Sequence, residues 1–260
     1  MQNYLKVMMG GAEPSPWTPA DSPNTYAWYA ADKETAYSDN DNANTITDFS
    51  GNGFDLDGTG HAPIFKENIV NGHPVFRFDG TKYADAADAA DWKLLHDGTD
   101  FLALVVFYIT LANPDTFYTV LDTGGASTAQ IGFILAYDDS SSSARNDACD
   151  AFIRKGVVGQ SIIRAVSPND SCPAQTWGVL DANYVFGRVG DDMIVSVDGS
   201  SVMTAETTNT PHNSGDPANP LNLGRSAAFG FNLVGDVKEV LIMQNPTPAE
   251  IVKARIYASN

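Results

Sequence analysis

From residue 101 to residue 244 the sequence repeats one phrase: a short run of β-branched and aromatic residues, then a break of Gly, Asn, Asp or Ser. The runs are 101–111 (FLALVVFYITL), 116–123, 130–137, 151–158, 160–167, 182–190, 192–199, 201–207, 219–225 and 233–244. Val, Ile, Tyr and Phe pack well on a pleated surface, and Gly, Asn and Asp tolerate the positive φ that tight reversals need. Strands recurring every 8–14 residues or so, with such turns between them, are the habit of sandwiches and barrels. The run at 101–111 lacks polar alternation, so it belongs at the centre of a sheet with neither face in water. Asp198-Gly199-Ser200 reads as a hairpin turn between two runs. Further upstream, 74–83 (PVFRFDGTKY) alternates Val75 and Arg77 against Phe76 and Phe78, then turns at Asp79-Gly80. Two helices are expected. One is a short internal helix at 85–96, with Ala89, Trp92 and Leu95 on one face and Gly98 to stop it. The other is a C-terminal helix at 247–260, where Thr247, Pro248 and Glu250 form a capping box with Pro in the first turn.

A chain of 260 residues suits one large all-β sandwich. Residues 17–260 read as that domain, with no composition break and no solenoid or propeller repeat. Residues 1–16 (MQNYLKVMMGGAEPSP) stand apart. Tyr4, Leu5, Val7, Met8 and Met9 are too apolar for a solvated tail, so they read either as an edge strand or as an arm that anchors the domain to another subunit. No secretory signal is read there, and no apolar stretch reaches the ~18 residues of a membrane span. Acidic residues number 32 against 15 basic, a net charge of -17. That charge repels phosphate backbones and anionic bilayers, so neither nucleic acid nor a membrane is an expected partner.

Cys149 and Cys172 lie in NDACDA and NDSCPA, and these polar neighbours place both in loops. They are candidates for a disulfide, which would contribute about 3 kcal/mol by loop closure. The competing reading is two free thiols, as in a reducing cytoplasm. Two Cys and four scattered His (His61, His73, His96, His212) give no zinc spacing.

Three ordered segments carry a family resemblance. YAWYAADKETAY…ITDFSGNGFDL (26–56) leads from Trp28 to a D-x-S-G-N-G turn at Asp48, Ser50, Gly51, Asn52 and Gly53. NGHPVFRFDGTKY (71–83) is a turn and strand. Residues 195–251 supply a V-x-V-D-G hairpin, an L-x-L-G strand, a G-D-V-x-E-V strand and a T-P-A-E helix cap. Together they resemble the concanavalin A-like lectin/glucanase (laminin-G-like) superfamily, in the form found on bacteriophage structural proteins. The resemblance covers about residues 17–258 and implies a jelly-roll β-sandwich. It does not single out a function, because this fold hosts lectins, adhesion modules, hydrolases and inert virion parts.

No catalytic constellation is read. The hydrolases of the resembled superfamily carry paired carboxylates in an E-x-D-x-(x)-E strand. Here Glu occurs only at 13, 34, 67, 206, 239 and 250, no two within six residues. Asp138-Asp139 and Asp191-Asp192 are adjacent, so their side chains diverge on a strand. There is no G-x-S-x-G elbow and no phosphate-binding loop with Lys. The resemblance suggests a rim Ca²⁺ site, for which Asp48, Asn52, Asp55 and Asp57 are the candidates. Turn capping by the same side chains is the competing reading. Sugar binding would draw on Tyr26, Trp28, Tyr29, Tyr83, Trp92 or Trp177, although strand aromatics are more often core.

The leading expectation is a non-enzymatic bacteriophage virion structural protein, a capsid decoration (cement) protein or a head-fibre or appendage subunit. It would sit on the particle surface after synthesis in the host cytoplasm. It would contact the major capsid protein or neighbouring virion subunits as a homo-oligomer. The alternative is a carbohydrate-binding adhesion or receptor-recognition module on a phage tail or bacterial surface, with a host surface glycan as partner.

Overall fold

The computed structural model describes residues 17–111, 115–124, 130–141, 144–156, 162–186, 193–202, 205–206, 213–227 and 230–259. The arm expected at 1–16 lies outside them.

Two antiparallel sheets face each other as a sandwich. The first runs, in spatial order, β14 (Ser200–Val202), β13 (Met193–Val197), β12 (Trp177–Tyr184), β7 (Phe101–Ile109), β17 (Val234–Gln244), β5 (His73–Asp79) and β4 (Ile64–Val70). β1 (Thr25–Ala30) also pairs with β17. The second runs β15 (Ala205–Glu206), β11 (Ile163–Val166), β10 (Ala148–Lys155), β9 (Ile131–Asp138), β8 (Phe117–Asp122), β16 (Asn222–Leu223), β6 (Ala84–Ala86), β3 (Leu56–Asp57) and β2 (Thr45–Ile46). Hairpin turns fall where the sequence places them. Asp198 and Gly199 adopt φ 50° and 73° between β13 and β14, and Asn71 and Gly72 adopt 49° and 85° between β4 and β5. Positive φ at both central residues matches the twist of the flanking strands.

The core lies between the sheets. Phe101, Ala103, Val105 and Phe107 of β7 meet Phe133, Leu135 and Tyr137 of β9 within it. The alternate residues of β7, Leu102, Leu104 and Val106, are also buried, under a helix. That helix, α1 (Pro248–Ala258), lays Ile251, Ala254 and Ala258 over them and over Trp28, Leu241 and Met243. Cover on both faces explains why 101–109 is apolar throughout, and each buried side chain of this size contributes about 1.5–3 kcal/mol. The N-terminus of α1 is fixed as its sequence demands. Glu250 Oε2 accepts the Thr247 N–H at 2.8 Å, and Ser22 and Asn24 donate to the same carboxylate. Among the described residues no helix is long and apolar enough to cross a membrane.

β17 contains a bulge that matters below. Val237 is paired with Phe107 and Glu239 with Val106, so Lys238 has no cross-strand partner on β7. Val237 and Val240 both enter the core. The extra residue therefore puts two successive charged side chains, Lys238 and Glu239, on the outer face.

Several expectations are corrected. The internal helix at 85–96 is a strand, Ala84–Ala86, followed by a single 3-10 stretch, Ala90–Leu95. Trp92 and Leu95 are buried, as the pattern requires, but the segment is wound as a short 3-10 helix. The strand read at 182–190 begins earlier, at Trp177. β4 was hidden by Lys66, Glu67 and Asn68, the last two of which lie in an irregular, exposed stretch. The loop placement holds for Cys172 but fails for Cys149. Cys149 lies in β10 with its side chain in the core, and Cys172 is buried beside it. Both are free thiols in hydrogen-bond contact, and burial first, then Cys172, pushes the Cys149 thiol well up. The polar neighbours that suggested a loop point elsewhere. Asp150 is on the opposite face of β10, and Asp147 accepts the Tyr137 hydroxyl and the Ala174 N–H.

Candidate ligand groove on the second sheet

The outer face of the second sheet carries a hollow of about 420 Å³ across β8, β9, β10 and β11. Alternation brings its floor together. On β10, Cys149, Ala151 and Ile153 face the core, so Asp150, Phe152 and Arg154 face outward. On β11, Ile163 and Ala165 face inward and Arg164 outward, directly opposite Phe152 in the ladder. Phe117 of β8 is paired with Asp138 of β9. A wall comes from the segment around Phe231, whose carbonyl accepts the Thr119 N–H at 3.0 Å.

Three phenylalanine rings converge here. Phe117 lies 6.4 Å from Phe152 and 5.6 Å from Phe231, in tilted geometry. Phe231 is 40% exposed. The Arg154 guanidinium sits 5.2 Å above the Phe152 ring. Beside the rings, Arg164 Nε donates to both oxygens of Asp150 at 3.0 Å, and its Nη2 adds a further contact. Asp150 is fully buried, and burial raises its carboxyl pKa against the opposing pull of Arg164. Asp138, also buried, accepts the N–H of Ser140 at 3.0 Å and its hydroxyl at 2.6 Å. Deeper in, burial raises Asp122 to about 6, and burial lowers Arg154 while Asp122 opposes that shift. The groove thus offers flat apolar surface next to carboxylates and guanidinium groups, which could grip a ligand with one apolar face and several hydroxyls.

The candidates read from sequence lie elsewhere. Asp48 uses its carboxylate on the chain itself, accepting from the N–H groups of Trp28, Ser50 and Phe54 and from the Ser50 hydroxyl. Asp55 Oδ1 accepts the Asp48 N–H, and the Asn52 amide donates to the Tyr26 carbonyl at 2.9 Å. Asp57 caps the turn at Thr59. Among the described residues no group of three or more His, Cys, Asp and Glu is placed to hold a metal ion, and Asp48, Asp55 and Asp57 each accept a backbone N–H. Trp28, Tyr29 and Trp92 are core residues. Tyr26 stacks on Phe54 at 4.9 Å, Tyr83 lies between His61 and Arg225, and Trp177 packs on Tyr108. None of the six lines the groove. Asp138 does line it, while Asp139 faces away and accepts the Asp115 and Asp147 N–H groups. Asp191, Asp192 and His212 lie outside the described residues. The sequence signal for the groove was alternation: AFIRK and SIIRAV each set an Arg two residues from a large apolar side chain on the same face.

No family model matches this sequence, and no curated protein sequence does either. Solved structures match in fold. The binding domain of Paraclostridial Mosquitocidal Protein 1 superposes with a TM-score of 0.62 at 12% identity, covering 91% of this chain and 52% of that one. The receptor binding domain of botulinum neurotoxin D gives 0.59 at 11%, covering 93% and 53%. The CBM40 of the Ruminococcus gnavus IT-sialidase, bound to α2,3-sialyllactose, gives 0.51 at 12%, covering 74% and 96%. The chain spans about half the length of the two toxin domains. At these identities the common ground is the β-sandwich fold, and a fold of this type does not by itself fix a function.

Proposed function

We propose that this chain is a non-catalytic glycan-recognition module that seats a sugar in the groove over β8, β9, β10 and β11. One observation carries the reading. Phe117, Phe152 and Phe231 gather beside the Asp150–Arg164 pair in a hollow open to solvent, on the outer face of the second sheet. A pyranose presents C–H faces to such rings and hydroxyls to such charges. The fold neighbours support the class. One is bound to sialyllactose, and another is a receptor binding domain.

A glycan array that includes α2,3-sialyllactose, followed by calorimetry on the best binder, tests this. Phe117→Ala with Phe231→Ala is expected to lower affinity about tenfold or more, since each aromatic contact is worth about 0.5–1.5 kcal/mol. Wild-type affinity in that double variant, or no binding at millimolar glycan, would sink it. The narrower reading places this module on a bacteriophage particle as a decoration or appendage subunit of the laminin-G-like type. It rests on the sequence resemblance and on the arm at 1–16, and it is tested by mass spectrometry of purified particles.

A further inference from the structure

A second hollow lies on the opposite side of the molecule, between α1 and the first sheet. It has two compartments. One, of about 620 Å³, is lined by Trp17, Asp32, His73, Glu239, Lys253 and Tyr257 among others. The other, of about 380 Å³, includes Trp177, Asp198 and Arg255. Lys238 and Ile256 line both, so the compartments adjoin at the bulge.

The charges in this cleft are unequally satisfied. Glu239 accepts the Trp28 indole N–H at 2.6 Å and is hydrogen-bonded by Tyr257. Asp198 accepts the Val179 N–H at 2.9 Å, and Asp32 lies 3.9 Å from His73 Nδ1. The Arg255 guanidinium is bound to Asp181 and Ser196. Lys238 is different. It is 8% exposed and lies close enough to Glu239 for its charge to act there, yet it makes no hydrogen bond or ion pair with any described residue. Its stem is packed away while it lines both compartments, so the ammonium is left open to a ligand in the cleft. The bulge that aims it into the cleft breaks the β17–β7 ladder at the same place, and bulges of this kind re-aim side chains at sites.

We propose that this cleft is a second ligand site, separate from the groove on the other sheet, and that it takes an acidic sugar whose carboxylate is held by Lys238. Lys253 stands at the mouth as a second cation, and Trp17, Tyr257 and Trp177 offer partly exposed rings on either side of Lys238 for the sugar's apolar faces. The site does not depend on the proposed role of the first groove.

Tryptophan fluorescence distinguishes the two sites. Trp17 and Trp177 line the cleft, and none of the four tryptophans lines the groove over β8–β11. D-Glucuronate is titrated into the full chain carrying Phe117→Ala and Phe231→Ala, with D-glucose and acetate as comparisons. The expected result is saturable quenching by glucuronate alone, at least tenfold weaker in Lys238→Gln and several-fold weaker in Lys253→Gln. Lys253 is exposed, so its substitution keeps the test valid if Lys238→Gln does not fold. Equal response to acetate, response to glucose, no response to glucuronate, or wild-type affinity in both Lys variants would each overturn the proposal.

Discussion

The two sheets treat their outer faces in opposite ways. The first covers its outer face with α1, and Trp28, Leu102, Leu104 and Leu241 there are as dry as the core. The second leaves Phe117 and Phe231 partly in water above Phe152 and Ile134. A covered face spends its aromatics on packing, whereas an uncovered one keeps them in reach of a partner. Trp28 and Phe231 therefore offer the sharpest contrast. Trp28→Ala empties a site packed between Phe49 and Tyr257 and removes the indole hydrogen bond to the Glu239 carboxylate. It is expected to cost about 3–5 kcal/mol in urea unfolding. A loss below about 1 kcal/mol would mean that the α1-covered face is not structural.

Glu239 gives the next largest effect. Burial, together with the nearby Asp32 charge, raises its carboxyl to about 7 despite the hydrogen bond from Trp28. Because the folded state holds the proton more tightly than the unfolded chain, this contribution is complete below about pH 4.5. It is lost as pH rises through 7, a change of about 3 kcal/mol. Asp150 on the other sheet is also raised by burial and adds a slope of the same sign. The comparison therefore requires Glu239→Gln. The difference between urea midpoints at pH 5 and pH 8 should shrink in that variant, and an unchanged difference would place the titration elsewhere.

How much of this could be read in the sequence follows from the same contrast. β7 was legible because burial on both faces leaves an unbroken apolar run, and α1 was legible because Thr247, Pro248 and Glu250 are local signals. The groove was harder. Asp150, Phe152 and Arg154 sit in a strand whose inward residues, Cys149 and Ala151, are small and flanked by acids, so its beginning looked like a loop. Phe231 reaches the groove from a distant segment held to β8 at Thr119, a placement for which no spacing rule exists. The Asp48 turn was located correctly, but whether its carboxylate faces N–H groups or an ion depends on backbone placement that residue types do not encode.

The helix cap sharpens the contrast on a smaller scale. Thr247→Ala removes the hydroxyl that receives the Glu250 N–H, at a cost of about 1 kcal/mol. Hydrogen exchange should then rise first in α1 and in β1 beneath it. If it instead rose equally over β9 and β10, the two outer faces would unfold as one unit.

Phe231→Ala should have the smallest effect on stability. The ring is 40% exposed and packs on Phe117, so its removal leaves a shallower groove and no sealed cavity. The expected loss is below about 1 kcal/mol, since a truncation that the solvent can fill carries no cavity penalty. The same substitution is expected to weaken glycan binding, and separation of the two readouts makes the variant informative. A residue retained for packing loses stability and binding together, as Trp28→Ala should. If Phe231→Ala melts several degrees lower with glycan affinity intact, the uncovered face is a second structural layer like the first, and the groove is not a ligand site.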